Sequence, residues 1–208
     1  MDKRTARWNA LVTALIFVEG GGRGRDLRSR CAEGFRRLFE SCGLVGRFRI
    51  VACGGRTATY DRFMTAHSNN PRSDYIAMLV DSEEPVENVE APWNHLAREQ
   101  WQKPDGADHN QVLLMTTCME TWIVCDRQAL VRHYGGCLQE SALPSLQDLE
   151  GRHRADVQYA LTHATRNCTN AYAKGKNSFQ VLGRLSPDAI EPHLPSFARA
   201  RRILSQKL

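Results

Sequence analysis

The chain has 208 residues, 42% of them hydrophobic, with 28 Lys+Arg against 23 Asp+Glu and a formal charge of +5. That length is ample for one compact domain with a real core, and frequent, patterned apolar runs exclude a disordered chain. The charge is unevenly spread: residues 1–60 hold 12 basic and 5 acidic side chains, residues 61–150 hold 6 and 15, and residues 151–208 hold 10 and 3.

Residues 1–10 are polar and basic and lead into a first strand, the apolar run Leu11–Val18, whose length and branched composition suit a buried parallel strand. No apolar run reaches membrane-spanning length, and Gly-Gly-Gly-Arg follows Glu19 where a leader peptide would carry a cleavage pattern. The expected location is therefore the cytoplasm, with no membrane contact. From Asp26, Leu27, Cys31, Phe35, Leu38 and Phe39 fall at helical spacing, closed by Gly43. Arg49–Cys53 reads as the second strand and Thr57–His67 as a helix, ended by the Asn69-Asn70-Pro71 turn. Tyr75–Val80 is the third strand. The acidic, proline-containing stretch 84–108 reads as a loop with one short helix, Trp93–Trp101. Gln111–Thr116 is the fourth strand, followed by a helix from Met119 to His133. After Gly135-Gly136 the chain becomes helical and basic, with segments at Ala155–Thr165, Ser178–Leu182 and Pro195–Leu204. This order predicts an α/β fold: a mainly parallel central sheet flanked by helices over residues 1–135, with a helical extension, 136–208, packed on the same core. The seven cysteines are odd in number and form no CxxC pair, so they read as reduced, mostly buried thiols, and structural zinc is not expected.

In such a sheet, ligands sit outside the carboxyl ends of the strands. Glu19 follows the first strand, Asp81 and Glu83 follow the third, and Glu120 lies just past the fourth, with Asp126 further along its helix. Carboxylates on neighbouring strand ends repel unless a cation lies between them, and Mg²⁺ or Mn²⁺ takes such oxygen ligands. The natural chemistry is polarisation of a phosphate and activation of water. Glu19 and Asp81 are the primary candidate ligands, with Glu83 next. Glu120 and Asp126 are candidates for a second metal or for holding the others; equally, they read as an ordinary helix-start acid and a solvated one. Arg23, Arg25 and Arg28 flank a glycine loop before a helix N-terminus, an arrangement suited to phosphate; the plainer reading is a solvated basic face. Arg56 after Gly54-Gly55, and Lys174 and Lys176 in a later loop, are further candidates for phosphate or nucleic-acid contact, or ordinary surface charges. Trp93, Trp101 and Trp122 could stack on bases, although large aromatics more often fill a core.

The segments Ile16-Phe17-Val18-Glu19-Gly20 and Leu79-Val80-Asp81-Ser82-Glu83 resemble a TOPRIM-type domain, a class with a glutamate after its first strand and Asp-x-Asp after its third. Asp26-Leu27-Arg28-Ser29-Arg30-Cys31, Ala52-Cys53-Gly54-Gly55-Arg56, Met119-Glu120-Thr121-Trp122 and Lys174-Gly175-Lys176-Asn177-Ser178-Phe179 resemble a bacterial TOPRIM-like family of unknown function, similar to RloB-like partners of ABC-type ATPases. One departure is Glu83 in place of the second aspartate. The resemblance implies Mg²⁺ held by Glu19 and Asp81, an acid–base role open to Glu19, a catalytic role for Lys174, and an ABC-type or OLD-like ATPase subunit as partner in phage defence. The expected function is a metal-dependent nuclease acting on DNA or RNA, with homo-oligomers possible. A non-catalytic module docking on an ATPase and a nucleotide phosphohydrolase or phosphotransferase are the alternatives. If the basic outer thirds attract a polyanion to a cation-loaded site, nucleic-acid binding should strengthen on adding Mg²⁺ and weaken with monovalent salt. A filter-binding titration checks this, and indifference to both would leave the charge pattern as surface solvation.

Overall fold

A computed structural model describes residues 14–44, 48–69 and 74–208, the Lys176 side chain excepted. Residues 1–10, the Leu11–Thr13 start of the first expected strand and the Asn70-Pro71 turn lie outside the described residues. Four strands, β1 (Ala14–Gly21), β2 (Phe48–Gly54), β3 (Tyr75–Asp81) and β4 (Val112–Met115), form one sheet in the order β2-β1-β3-β4. Every pairing is parallel, with Val18 opposite Ala52 on one side and Leu79 on the other. The fold is therefore α/β, as the alternation of apolar runs and helical spacing predicts. Because β2 and β3 lie on opposite sides of β1, the chain reverses its direction of travel across the sheet between β1 and β3. A crevice opens at the carboxyl ends of strands at such a point.

Helices cover both faces of the sheet. Along each strand alternate residues point to opposite faces. Ile16, Val18, Leu79, Leu113 and Met115 join one cluster, while Phe17, Met78, Val80, Val112 and Leu114 join the other. The second cluster packs under α2 (Arg56–Ser68) through Phe63 and under α3 (Pro92–Leu96) through Trp93 and Leu96. The first is larger. It takes Phe35, Leu38 and Phe39 from α1 (Arg25–Ser41) and Trp122 from α4 (Met119–Cys125). It also takes Leu130 from α5 (Arg127–Tyr134), Leu161 from α6 (Arg154–Thr165) and Leu182 from α7 (Lys176–Leu182). Ile190 of α8 (Pro187–Ile190) and Phe197 and Leu204 of α9 (Pro195–Lys207) complete it. One hydrophobic cluster thus runs from Ile16 to Leu204. Full burial of each such Leu or Phe contributes about 1.5–3 kcal/mol. Gly34 lets α7 cross α1 closely, since a Cβ there would lie 2.7 Å from the Phe179 carbonyl oxygen.

Three expectations are corrected. The helix expected from Met119 to His133 is two helices, because Asp126 leaves helical geometry (φ −86°, ψ 86°) and caps the second. The helix expected over Trp93–Trp101 ends at Leu96 and continues as a single 3₁₀ turn, Ala97–Glu99, stopped by left-handed Gln100. The thiols are not all reduced: Cys137 and Cys168 form a disulfide, while Cys31, Cys42, Cys53, Cys118 and Cys125 are free and buried. The bridged pair is 31 residues apart and comes within 5.3 Å (Cα–Cα). Cys137 ends a 3₁₀ turn after α5, and Cys168 lies just beyond α6. Tertiary packing, not local spacing, makes that pair.

The Asp126 carboxylate is almost fully buried. Its Oδ1 accepts from the Ala129 N–H at 2.8 Å and its Oδ2 from the Ser186 N–H at 2.8 Å. Asp126→Ala removes a helix cap and orphans a buried donor, so denaturant unfolding should show a loss of about 2–4 kcal/mol. A loss within 0.5 kcal/mol, roughly the scale of a surface substitution, would contradict the capping role.

Glu150 fastens the start of α9, accepting from the Ser196 N–H at 3.1 Å and from its hydroxyl at 2.5 Å. Burial pushes its carboxyl up from 4.5 to about 7, against the pull of those hydrogen bonds. The folded state therefore binds the proton more tightly than the unfolded one. The stability this confers is complete below about pH 4.5 and is lost as pH rises through about 7. Across that window the melting temperature of the wild type should fall relative to Glu150→Gln. A difference that stays flat from pH 4.5 to 8 would contradict it.

Candidate metal centre

The crevice between β1 and β3 brings together residues that the sequence spaces 62 positions apart. Glu19 sits near the carboxyl end of β1 and Asp81 ends β3. The Asp81 backbone N–H donates to Glu19 Oε2 at 3.1 Å, and the Met119 N–H, in the first turn of α4, donates to Asp81 Oδ1 at 2.8 Å. Neither carboxylate is free to swing away. Glu83 follows with φ +67°, a left-handed backbone unusual for a glutamate. Its N–H donates to the Thr117 carbonyl at 3.0 Å and that of Ser82 to the Met115 carbonyl at 3.0 Å, so the turn is bound to the end of β4. One ligand oxygen from each of Glu19, Asp81 and Glu83 lies within 4.8 Å of the others.

The electrostatics follow from burial. Asp81 is only 6% exposed. Desolvation first, then the charges of Glu19 and Glu120, raise its pKa well above the usual carboxylate range, against the pull of Arg154 and Lys174. Desolvation also raises Glu19, offset by Arg56, by the Asp81 N–H, by Arg154 and by Lys174. Two carboxyls so placed hold either a shared proton or a cation. All three clustered side chains offer hard oxygen donors, the set that suits Mg²⁺ or Mn²⁺ rather than a soft metal.

Beside the cluster lies a cavity of about 280 Å³, lined by Glu19, Asp81, Glu120, the Gly20–Gly22 loop, Lys174 and Phe179 among others. Its floor needs glycine at position 54, where φ is +96° and a Cβ would stand 2.6 Å from the Gly22 carbonyl oxygen. Glu120 is fully buried in the wall, with one oxygen accepting from the Tyr172 hydroxyl and the other from Gln158 Nε2 at 3.2 Å. It lies beside the three-carboxylate group, not within it. Asp126 lies outside both the group and the cavity lining, engaged in its capping bonds.

The expected basic residues divide. Lys174 is exposed and lines the cavity. Arg56 is already engaged: its guanidinium donates to the Asp81 carbonyl, binds the Glu99 carboxylate and lies 4.7 Å above the Trp101 ring. Arg23 and Arg25 are exposed and Arg28 partly so, and among the described residues none of the three is in a salt bridge. The Lys176 side chain lies outside the described residues. Trp93 and Trp122 are buried, and Trp101 stacks on Tyr60 at 4.5 Å. Sequence reasoning missed Arg154, the first residue of α6, which pairs with Glu83. It also missed Tyr172 and Gln158, which hold Glu120.

Among the described residues no helix is long and apolar enough to cross a membrane. Neither a curated protein nor a solved structure matches the chain. A family model described as "Domain of unknown function (DUF4276)" matches residues 18–204, a span that includes every clustered carboxylate, and the chain belongs to that family.

Proposed function

We propose that the chain is a Mg²⁺- or Mn²⁺-dependent phosphodiesterase that cuts nucleic acid, with Glu19, Asp81 and Glu83 as metal ligands. The observation that carries this reading is the three-carboxylate cluster at the β1–β3 crevice, opening beside a glycine-lined cavity that a lysine borders. A divalent ion held there would polarise a phosphoryl oxygen and lower the pKa of a water. The chain's own groups would bind and orient: Lys174 lines the cavity, and Arg23, Arg25 and Arg28, beside and after the glycine loop, would meet the rest of a polyanion. The reading extends to a TOPRIM-like relationship, supported by Glu19 near the carboxyl end of β1 and an Asp-x-Glu that begins on the last residue of β3. It also includes a cytoplasmic location and an ABC-type or OLD-like ATPase partner in phage defence, which rest on the RloB-like resemblance of the quoted segments. The modest cavity favours a second reading, hydrolysis of a small nucleotide at the same cluster. Parallel assays on oligonucleotides and mononucleotides separate the two.

Glu19→Gln and Asp81→Asn should each lower Mg²⁺-dependent cleavage of an oligonucleotide by about a hundredfold or more with the circular dichroism unchanged. Cleavage retained in both variants would reject the site. Asp81→Asn should also melt at a higher temperature than the wild type in EDTA near neutral pH. It keeps the acceptor for the Met119 N–H while removing a carboxyl whose ionisation is opposed by burial, Glu19 and Glu120 and which is therefore costly to bury near neutral pH. A lower melting temperature would contradict that electrostatic account.

A further inference from the structure

Arg154 stands where the rules of helix composition do not call for it. As the first residue of α6 it lies at the end where the helix dipole disfavours a cation. Its guanidinium reaches instead to the Glu83 carboxylate, and among the described residues this is its one salt bridge. Its charge also acts on Glu19 and Asp81, as does that of Lys174, so two cations from the last third of the chain face one cluster of acids from the first and second. The position of Glu83 does not depend on Arg154, because its backbone is bound to Thr117. Arg154 is partly exposed, and its guanidinium carries further N–H donors besides the one on Glu83.

We propose that Arg154 is a stand-in cation on Glu83, released to a phosphoryl oxygen when a divalent ion takes that carboxylate. The proposal rests on the metal reading above and adds to it the order of binding. Arg154 cannot serve Glu83 and a phosphoryl group at once with the same donors. Once it loses Glu83 to a doubly charged competitor, its next anion is a phosphoryl group brought to that ion beside it, and a guanidinium meets a phosphoryl group through two parallel hydrogen bonds. Metal and phosphoryl binding are then coupled, and the coupling is reciprocal.

Calorimetric titration of the full chain tests this, first with Mg²⁺ and then with inorganic phosphate, in the presence and absence of saturating Mg²⁺. The wild type should bind phosphate about tenfold more tightly with Mg²⁺. Arg154→Ala should bind Mg²⁺ roughly threefold more tightly or better, having lost the competing cation, while losing most of the Mg²⁺-dependent gain for phosphate. Opposite signs for the two ligands are what a structural prop would not produce. Glu83→Gln supplies the complementary test and leaves Arg154 in place: phosphate binding without Mg²⁺ should improve, because Arg154 is released from the start. If Arg154→Ala binds Mg²⁺ no more tightly than the wild type, or if Glu83→Gln does not improve metal-free phosphate binding, the proposal fails while the metal site stands. If the wild type binds no Mg²⁺, the metal reading fails and takes this proposal with it.

Discussion

Two carboxyl groups, partly buried Glu19 and buried Asp81, stand side by side, and the backbone gives them no freedom to separate. The register that sets Val18 opposite Leu79 brings the ends of β1 and β3 together, and the Asp81 N–H itself holds Glu19. The start of α4 holds Asp81 from the other side. Water screens charges in such a crevice poorly, and a like-charged pair there favours protonation or a counter-ion. Much of the surrounding structure answers that demand. Arg56, Arg154 and Lys174 all bring positive charge to the pair, from three separate parts of the chain. The helical last third is thus part of the site as well as part of the core.

The basic–acidic–basic order of the sequence takes on a different meaning once folded. Acids of the middle third meet arginines of the outer two: Glu99 binds Arg56, Glu83 binds Arg154, and Glu90 binds Arg199 and Arg202. The exposed Glu90–Arg202 pair contributes little to stability. Arg199 differs, because its guanidinium is buried and also donates to the carbonyls of Val112 at 2.8 Å and His109 at 2.6 Å. It ties α9 to the start of β4. The 84–108 segment is consequently less of a free acidic surface than its composition suggests, which counts against reading it as an electrostatic dock for a partner.

The sheet was legible because a buried parallel strand needs a short continuous apolar run, and the four runs in this sequence are bounded by polar or glycine residues. Glu19 and Asp81 were legible for the same reason: where such a run ends, its next polar side chain lies at the rim of the sheet. What stayed hidden was set by contacts between distant segments. Asp126 looks like one more acid on a continuous helix, and only the Ser186 N–H, 60 residues later, shows that it is a buried cap. Cys137 and Cys168 carry no spacing signal, since the packing of α6 decides their approach. Arg154 lies in the run Arg152-His153-Arg154-Ala155-Asp156, which has the look of a solvated helix start. Its partner is 71 positions away, and neither residue's neighbours announce the other.

Glu120 shows why the site needs more than its clustered ligands. It is fully buried, and both its oxygens are occupied, by the hydroxyl of Tyr172 and the amide of Gln158. Those bonds fix its charge behind Asp81, where it adds to the repulsion that Glu19 exerts. Counting formal charges, Glu19, Asp81, Glu83 and Glu120 bring four negatives to the crevice. Arg154 and Lys174 return two positives, while Arg56 is matched by Glu99. The remainder is two negative charges, which a proton only halves and one divalent ion balances. Tyr172 and Gln158 touch none of the three clustered carboxylates, yet by holding Glu120 they help to set that remainder. They tie the helical last third to the charge that the crevice asks of its ligand.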